Sequence, residues 1–448
     1  MKKVFLMMIA CMGAVTLSAQ QAEEPKTIAL TAEERQLVEN NNDFAFNLFR
    51  QVRGDGNQVV SPLSITYALG LSNNGAAGKT REEINKVLGS AAGSVDAINA
   101  FCRKMLTEAP VLDPETKANI ANTIYLNKMS GYELKPSYVE SAATYYDATP
   151  EVRNFNDGQT MDVINQWASD HTEGMIKEVL NQQSFNPYAL SYLLNAIYFK
   201  GVWMNEFKEE NTVMKSFNGG QSVPMMAQNE EFQYTDNDLY QAIHLPYGNG
   251  AYRMTLFLPR EGKTIDDVLA TMNGSNWQFH GFKYQVDLQM PRFETSTNVD
   301  LKKVMSALGM PTAFSETEAD FSNMVVDMLG QNIFIGLMKQ VAKIKVDEKG
   351  TEAAAVTIIG YGTSSMPEYA TFHADRPFFY IISEQSTGAI FFIGQYMGKE
   401  ESEGRETEGI RRTDDGSHAY DIYNLKGQRL PAEPARGLFI QDGKKIIR

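Results

Sequence analysis

The chain has 448 residues, 43% of them hydrophobic and 21% charged, which is enough apolar material for a large core, and its formal net charge is −14. Such acidity argues against nucleic acid or an anionic membrane surface as a partner. Two cysteines, Cys11 and Cys102, leave little room for disulfide support.

The opening MKKVFLMMIACMGAVTLSAQ sets two lysines before an apolar stretch that ends in the small residues Ser18 and Ala19. It reads as a secretory leader over 1–19, cleaved near Ala19–Gln20 and too short to span a bilayer. A lipoprotein leader using Cys11 is the alternative, although the apolar stretch before that cysteine is short. Losing 1–19 takes the charge to −16 and leaves only Cys102, so the mature chain cannot close an internal disulfide. Residues 20–35 are polar and are expected to form a loose arm.

Beyond them, LVENNNDFAFNLFRQV has helical periodicity, with Phe44, Leu48 and Val52 on one face. NQVVSPLSITYALGLSNNGAAG starts extended, turns at Ser61–Pro62 and continues as a buried helix. TREEINKVLG follows as a helix with Thr80 as its cap, Glu83 three residues on and Gly89 as its stop. Strand signals appear in NTIYLN, LSYLLNAIYF, AYRMTLFLP, YQVDLQMPRF and AIFFIGQY, with helical runs at MDVINQWASDHT and LKKVMSALG between them. Both types mixed without a strict βαβ rhythm indicate an α+β fold.

Residues 399–417 carry four Lys/Arg against seven Asp/Glu without apolar periodicity and read as a linker. The tail 418–448 regains strand pattern in DIYNL and LFI, with six Lys/Arg against three Asp/Glu, and is expected to be a small separate β-rich unit.

The five histidines His171, His244, His280, His373 and His418 show no metal-ligand spacing, and there is no GxSxG elbow, phosphate-binding loop or dinucleotide fingerprint. Cys102 sits in a helical context that suits a half-buried structural thiol. No nucleophile–base pair is visible, so neither an enzyme nor a metal or small-molecule cofactor is expected.

Ordered motifs carry a family resemblance over roughly Ala32–Gly398. They are NQVVSPLSI, LSNNGAAGKT, INQWASDHTEGMI, LLNAIYFKGVW, VPMMAQ, LPYGN, MPRFE, LGM…AF…ADFS, DEKGTEAAA and RPFFY…AIFFIGQ. Together they resemble the serpin family. The resemblance implies three β-sheets, about nine helices and an exposed reactive-centre loop, here 348–367. After a protease cleaves it, that loop inserts as a new strand in the central sheet. It also implies an irreversible inhibitor that captures a serine-type protease covalently, acting as a monomer. A non-inhibitory serpin serving as a binding protein is the alternative.

The residues agree with an insertable strand. Glu348 and Gly350 form a hinge, glycine letting the backbone turn freely. Thr351, Ala353, Ala355, Thr357, Ile359 and Tyr361 then share one face, with Ala354 and Glu352 on the other. Five of the six are small or β-branched, and none is charged. By the family's usual count the hinge glutamate is the first of seventeen positions, and Glu348 to Ser364 inclusive is seventeen residues. This puts the reactive bond at Ser364–Ser365, to within one residue, beside Thr363. A small uncharged Ser364 with Tyr361 three residues upstream suits elastase-like or subtilisin-like proteases. Cleavage after Tyr361 by a chymotrypsin-like protease is the competing reading.

By the same resemblance, Asn57, Ser61, Ser64 and Asn195 would form polar networks where the central strands part, and Trp203 would pack where the loop enters. Two positions depart from the family pattern: Met175 replaces a common lysine, and Gln340 stands where a histidine is common, followed by Val341. Glutamine supplies donors and acceptors without titrating, so sheet opening is expected to be insensitive to pH near neutrality. The tail resembles C-terminal sorting segments of exported proteins of Bacteroides-like bacteria, implying secretion or display on a Gram-negative cell surface.

Overall fold

A computed structural model describes residues 25–90, 95–326, 332–351 and 368–398, and the backbone of four short strands beyond them. The expected leader over 1–19, the linker over 399–417 and residues 352–367 of the reactive-centre segment lie outside the described residues. Two compact units divide the chain, 1–410 and 411–448.

In the first unit the apolar runs become a central six-stranded sheet. Its strands are β2 (Lys117–Asn127), β4 (Glu151–Arg153), β5 (Ser191–Val202), β11 (Phe293–Asp300), β13 (Leu337–Val346) and β14 (Gly350–Thr351). The main order is β11-β13-β5-β2-β4, with β14 paired to β5. β5 is covered on both faces and buried almost throughout, hence its unbroken apolar run. β11 has one wet face and alternates.

A nine-stranded path comprises β1 (Gln58–Val60), β6 (Val213–Phe217), β7 (Gln221–Asp236), β8 (Tyr240–Tyr247), β9 (Tyr252–Pro259), β10 (Phe282–Pro291), β15 (Tyr369–His373), β16 (Phe378–Glu384) and β17 (Ile390–Tyr396). β7 meets β8 over only three residue pairs but β10 over ten. The path therefore works as two sheets joined at one corner, three with the central sheet. A two-stranded pair, β3 (Glu133–Leu134) with β12 (Val325–Val326), completes the strands among the described residues of this unit.

Among the described residues, eight α-helices surround the sheets: α1 (Ala32–Val52), α2 (Pro62–Gly75), α3 (Gly78–Val87), α4 (Val95–Glu108), α5 (Pro136–Tyr146), α6 (Thr160–His171), α7 (Ile265–Leu269) and α8 (Lys302–Leu308). α1 buries Phe44, Leu48 and Val52 on its inner face. α2 is buried on every side except Asn74, as its lack of a polar face requires. Pro62 opens it in the first turn, where a missing N–H costs nothing.

Four expectations are corrected. The arm 20–35 is not loose where it is described: Ile28 and Leu30 are buried, and the Ile28 amide donates to Ser386 Oγ at 2.9 Å. Thr31 and Glu34 form a capping box, so α1 begins at Ala32. Thr80 and Glu83 do not cap α3, which starts at Gly78. Thr80 Oγ1 instead accepts from the Asp320 amide, and the Glu83 carboxylate accepts from Thr312, tying the helix to 312–320. YQVDLQMPRF is not one strand, because the chain passes between sheets at Arg292, from β10 into β11. Cys102 is fully buried, and burial pushes its thiol far up, which leaves no nucleophile there.

The second unit contains a four-stranded antiparallel sheet of β18 (Ile422–Tyr423), β19 (Arg429–Leu430), β20 (Leu438–Gln441) and β21 (Lys444–Ile447), ordered β19-β18-β20-β21.

Candidate functional site: the parting of the central sheet

β5 and β13 run parallel from Tyr192–Leu337 up to Ile197–Ala342, where their pairing stops. Above that point Lys343–Val346 pair with β11 on the far edge of β13. Past a gap at Tyr198–Lys200, β5 is met on the open side by β14, antiparallel, through Gly201–Thr351 and Val202–Gly350. The central sheet is thus closed below and parted above.

Just below the parting lies a buried polar network. Gln340 is wholly buried. Its amide nitrogen donates to the Ser61 carbonyl (3.0 Å), Asn195 Oδ1 (2.9 Å) and Ser64 Oγ (3.4 Å), while its oxygen accepts from the Ser61 amide at 3.1 Å. Asn195 Nδ2 donates to Asn122 Oδ1 at 2.7 Å and to the Ser64 carbonyl at 3.1 Å. The Ser64 hydroxyl hydrogen-bonds Asn195 Oδ1. One cluster therefore fastens β13, β5, β2 and the start of α2 together, and no member titrates in the working range. Such groups are costly unless every polar atom is matched. Asn57 lies apart from this cluster, accepting from the Met397 amide at 2.7 Å. The sequence suggested Ser61, Ser64, Asn195 and Gln340; Asn122 was missed, although it faces Asn195 in register across β2 and β5.

Above the parting, the chain leaves β13 and reverses. Asp347 and Gly350 exchange two backbone bonds, 2.8 and 3.2 Å, in a tight hairpin. Gly350 has φ +146°, and a Cβ there would press on the Val202 and Trp203 backbone at 2.7 and 2.9 Å, so only glycine fits. Glu348, 5% exposed, accepts from Thr212 Oγ1 and Arg292 Nη2, each at 2.6 Å. Burial alone would raise its carboxyl, but the Thr212 and Arg292 bonds outweigh this and hold it below the usual range.

Trp203 seats the turn from the other side. Its amide donates to the Lys349 carbonyl at 2.8 Å and its indole N–H to the Asp347 carbonyl at 2.9 Å. Its ring stacks on Tyr247, with centroids 4.4 Å apart and planes within 11°. Tyr247 Oη is 2.9 Å from Thr351 Oγ1, and both residues are fully buried. Burial pushes the Tyr247 phenol far up, so it stays a neutral hydroxyl.

Glu348, Gly350 and Thr351 are therefore described and brought together with Trp203. Ala353, Ala354, Ala355, Tyr361, Thr363, Ser364 and Ser365 lie outside the described residues. Tyr247, Arg292 and Thr212 were missed as site residues. The first two stand in the LPYGN and MPRFE motifs, but nothing in sequence spacing shows that they meet the hinge.

The family model for serpins, serine protease inhibitors, matches residues 39–398. Human Serpin B13 is 29% identical over 381 residues, covering 78% of this chain and 96% of that protein. Among solved structures, the thermophilic serpin tengpin in its native state aligns with a TM-score of 0.75 at 26% identity, covering 84% of this chain and 98% of tengpin. Human thyroxine-binding globulin, complexed with thyroxine, aligns at a TM-score of 0.73 and 27% identity, covering 81% of this chain and 98% of that one. The chain belongs to the serpin family, and its three sheets and eight helices are the serpin fold. Serpins are in general protease inhibitors rather than catalysts.

Proposed function

We propose that this serpin is an irreversible inhibitor of serine-type proteases of the elastase or subtilisin kind, cleaved at Ser364–Ser365. The observation that carries the reading is the parted central sheet, with the hinge already turned into the gap beside β5. The target's serine oxygen adds to the Ser364 carbonyl carbon. The Ser364–Ser365 C–N bond breaks, the new Ser365 amine leaves with a proton, and an ester joins the two proteins. About fourteen residues from Thr351 onward, uncharged and mostly small or β-branched on one face, then fill the gap, a length of roughly 46 Å at 3.3 Å per residue. The ester-linked protease is carried along before water can release it.

The leader and the sorting-like tail support export to the extracellular space or cell surface, with Cys11 lipidation as the alternative. A monomer with no bound cofactor is the working unit.

The test is incubation with elastase-, subtilisin-, chymotrypsin- and trypsin-like proteases, read on a denaturing gel. A boiling-resistant band at the combined mass and a released fragment beginning at Ser365 are expected. Loop cleavage by every protease without such a band would refute the reading. It would favour a binding serpin, a role that the likeness to thyroxine-binding globulin makes concrete.

A further inference from the structure

We propose that Tyr247 is a positioning residue that holds the hinge pre-engaged in the central sheet, so that its hydroxyl bond to Thr351 sets how often a cleaved loop traps its protease. This rests on the inhibitory reading above and adds to it a residue that governs efficiency.

Three observations converge. The first two residues of the future strand, Gly350 and Thr351, are already in antiparallel register with Val202 and Gly201. Thr351 is wholly buried, and its hydroxyl meets Tyr247 Oη at 2.9 Å. Tyr247 itself cannot swing away. Its ring lies flat on Trp203 and takes the edge of Phe199 at 5.2 Å, and it ends the β8 edge that bridges to Trp203. Trp203 in turn donates from both its nitrogens to two carbonyls of the hinge turn. Tyr247 thus joins a fixed aromatic stack to the one side chain that must be in place before any later residue can follow.

The physical consequence is kinetic. Bringing the first residues of a strand into register is the step that costs ordering entropy with few bonds in return. Here that step is completed before cleavage. After cleavage, insertion competes with hydrolysis of the ester. A pre-seated first pair raises the insertion rate, so fewer inhibitor molecules are consumed per protease trapped. The same seating withdraws two residues, roughly 7 Å of chain at 3.3 Å each, from the length available to reach the protease. Freeing the hinge should therefore leave first cleavage unchanged or faster while making trapping less efficient. A merely structural lesion would slow both.

The experiment uses the full mature chain with Tyr247→Phe, which keeps the ring, and Thr351→Val, which keeps the shape. Peptide-level hydrogen exchange over 348–354 reads the seating directly. Moles of serpin consumed per mole of subtilisin-type protease, and the rate of first cleavage, read its effect. One hydroxyl bond corresponds to about a two- to tenfold change in population. Each variant should exchange faster by that factor and consume correspondingly more serpin, with first cleavage not slowed. The double variant should be no worse than either single one, because both remove the same bond. Unchanged exchange in both single variants would overturn the proposal, as would an equal loss of first-cleavage rate and trapping. If the parent protein traps no protease, the inhibitory reading fails, yet the exchange data still decide whether Tyr247 seats the hinge.

Discussion

Replacing Gln340 by methionine keeps the volume of the side chain and removes its polar head. At this wholly buried position the change leaves the Ser61 amide and carbonyl without the partners at 3.1 and 3.0 Å. Asn195 Oδ1 keeps its bond from Ser64. The Ser61 carbonyl keeps its bond from the Ile65 amide at 3.2 Å, so one buried donor is stranded at about 1–3 kcal/mol, and with the apolar gain set against it the loss is about 1–2 kcal/mol. The first unfolding transition in urea, followed by tryptophan fluorescence, should move to lower denaturant with its slope unchanged. A transition within about 0.5 kcal/mol of the parent would refute the view that this network holds the sheet shut. Gln340→His adds a second arm. Burial favours the neutral ring, so a histidine there should make spontaneous sheet opening pH-dependent as pH falls below its ordinary value near 6.5, while the parent stays flat. A steep parent profile would show that another group controls the opening.

Two other predictions follow from titrating groups. Glu348 is held below its ordinary value of 4.5, so its contribution is present above that pH and lost as pH falls through the depressed folded value. Hydrogen exchange of the hinge should therefore rise on acidification, and Glu348→Gln should flatten the rise; because Arg292 is half exposed, the effect is only about 1 kcal/mol. His244 is buried, stacked on Phe279 and bonded to Thr255, and burial with Arg253 nearby pushes it from 6.5 down to about 3. The unfolded chain then binds the extra proton first, so stability should fall from about pH 6.5 to 3 by roughly 4 kcal/mol. His244→Gln should lose most of that slope in pH-dependent urea titrations.

Local signals were legible in the sequence wherever a single element decided the outcome. Ser61–Pro62 marked the start of α2, Gly89 takes the left-handed turn after α3, and the apolar run over Ser191–Val202 became a central strand. Misreadings came where a side chain had two uses. Thr80 and Glu83 have the spacing of a capping box, but tertiary bonds to 312–320 claim both. Thr31 and Glu34 do form one, hidden in a segment that looked too polar to be structured. Arg292 read as a strand residue because alternation runs through it, whereas its position between two sheets is a matter of topology. The hinge was visible as small residues after a glycine. Its companions Thr212, Arg292 and Tyr247 lie over a hundred, over fifty and about a hundred residues upstream of it, and no periodicity joins them.

The start of α2 grips both leaves of the sheet at once: Ser61 bonds to Gln340 on β13, and Ser64 to Asn195 on β5. A wedge driven between those leaves cannot advance past this point without prising the helix off one of them. The helix end is therefore a tripwire that reports how far the wedge has travelled. A spectroscopic probe placed on exposed Glu82, in the helix that follows, would sense the passage without touching the loop.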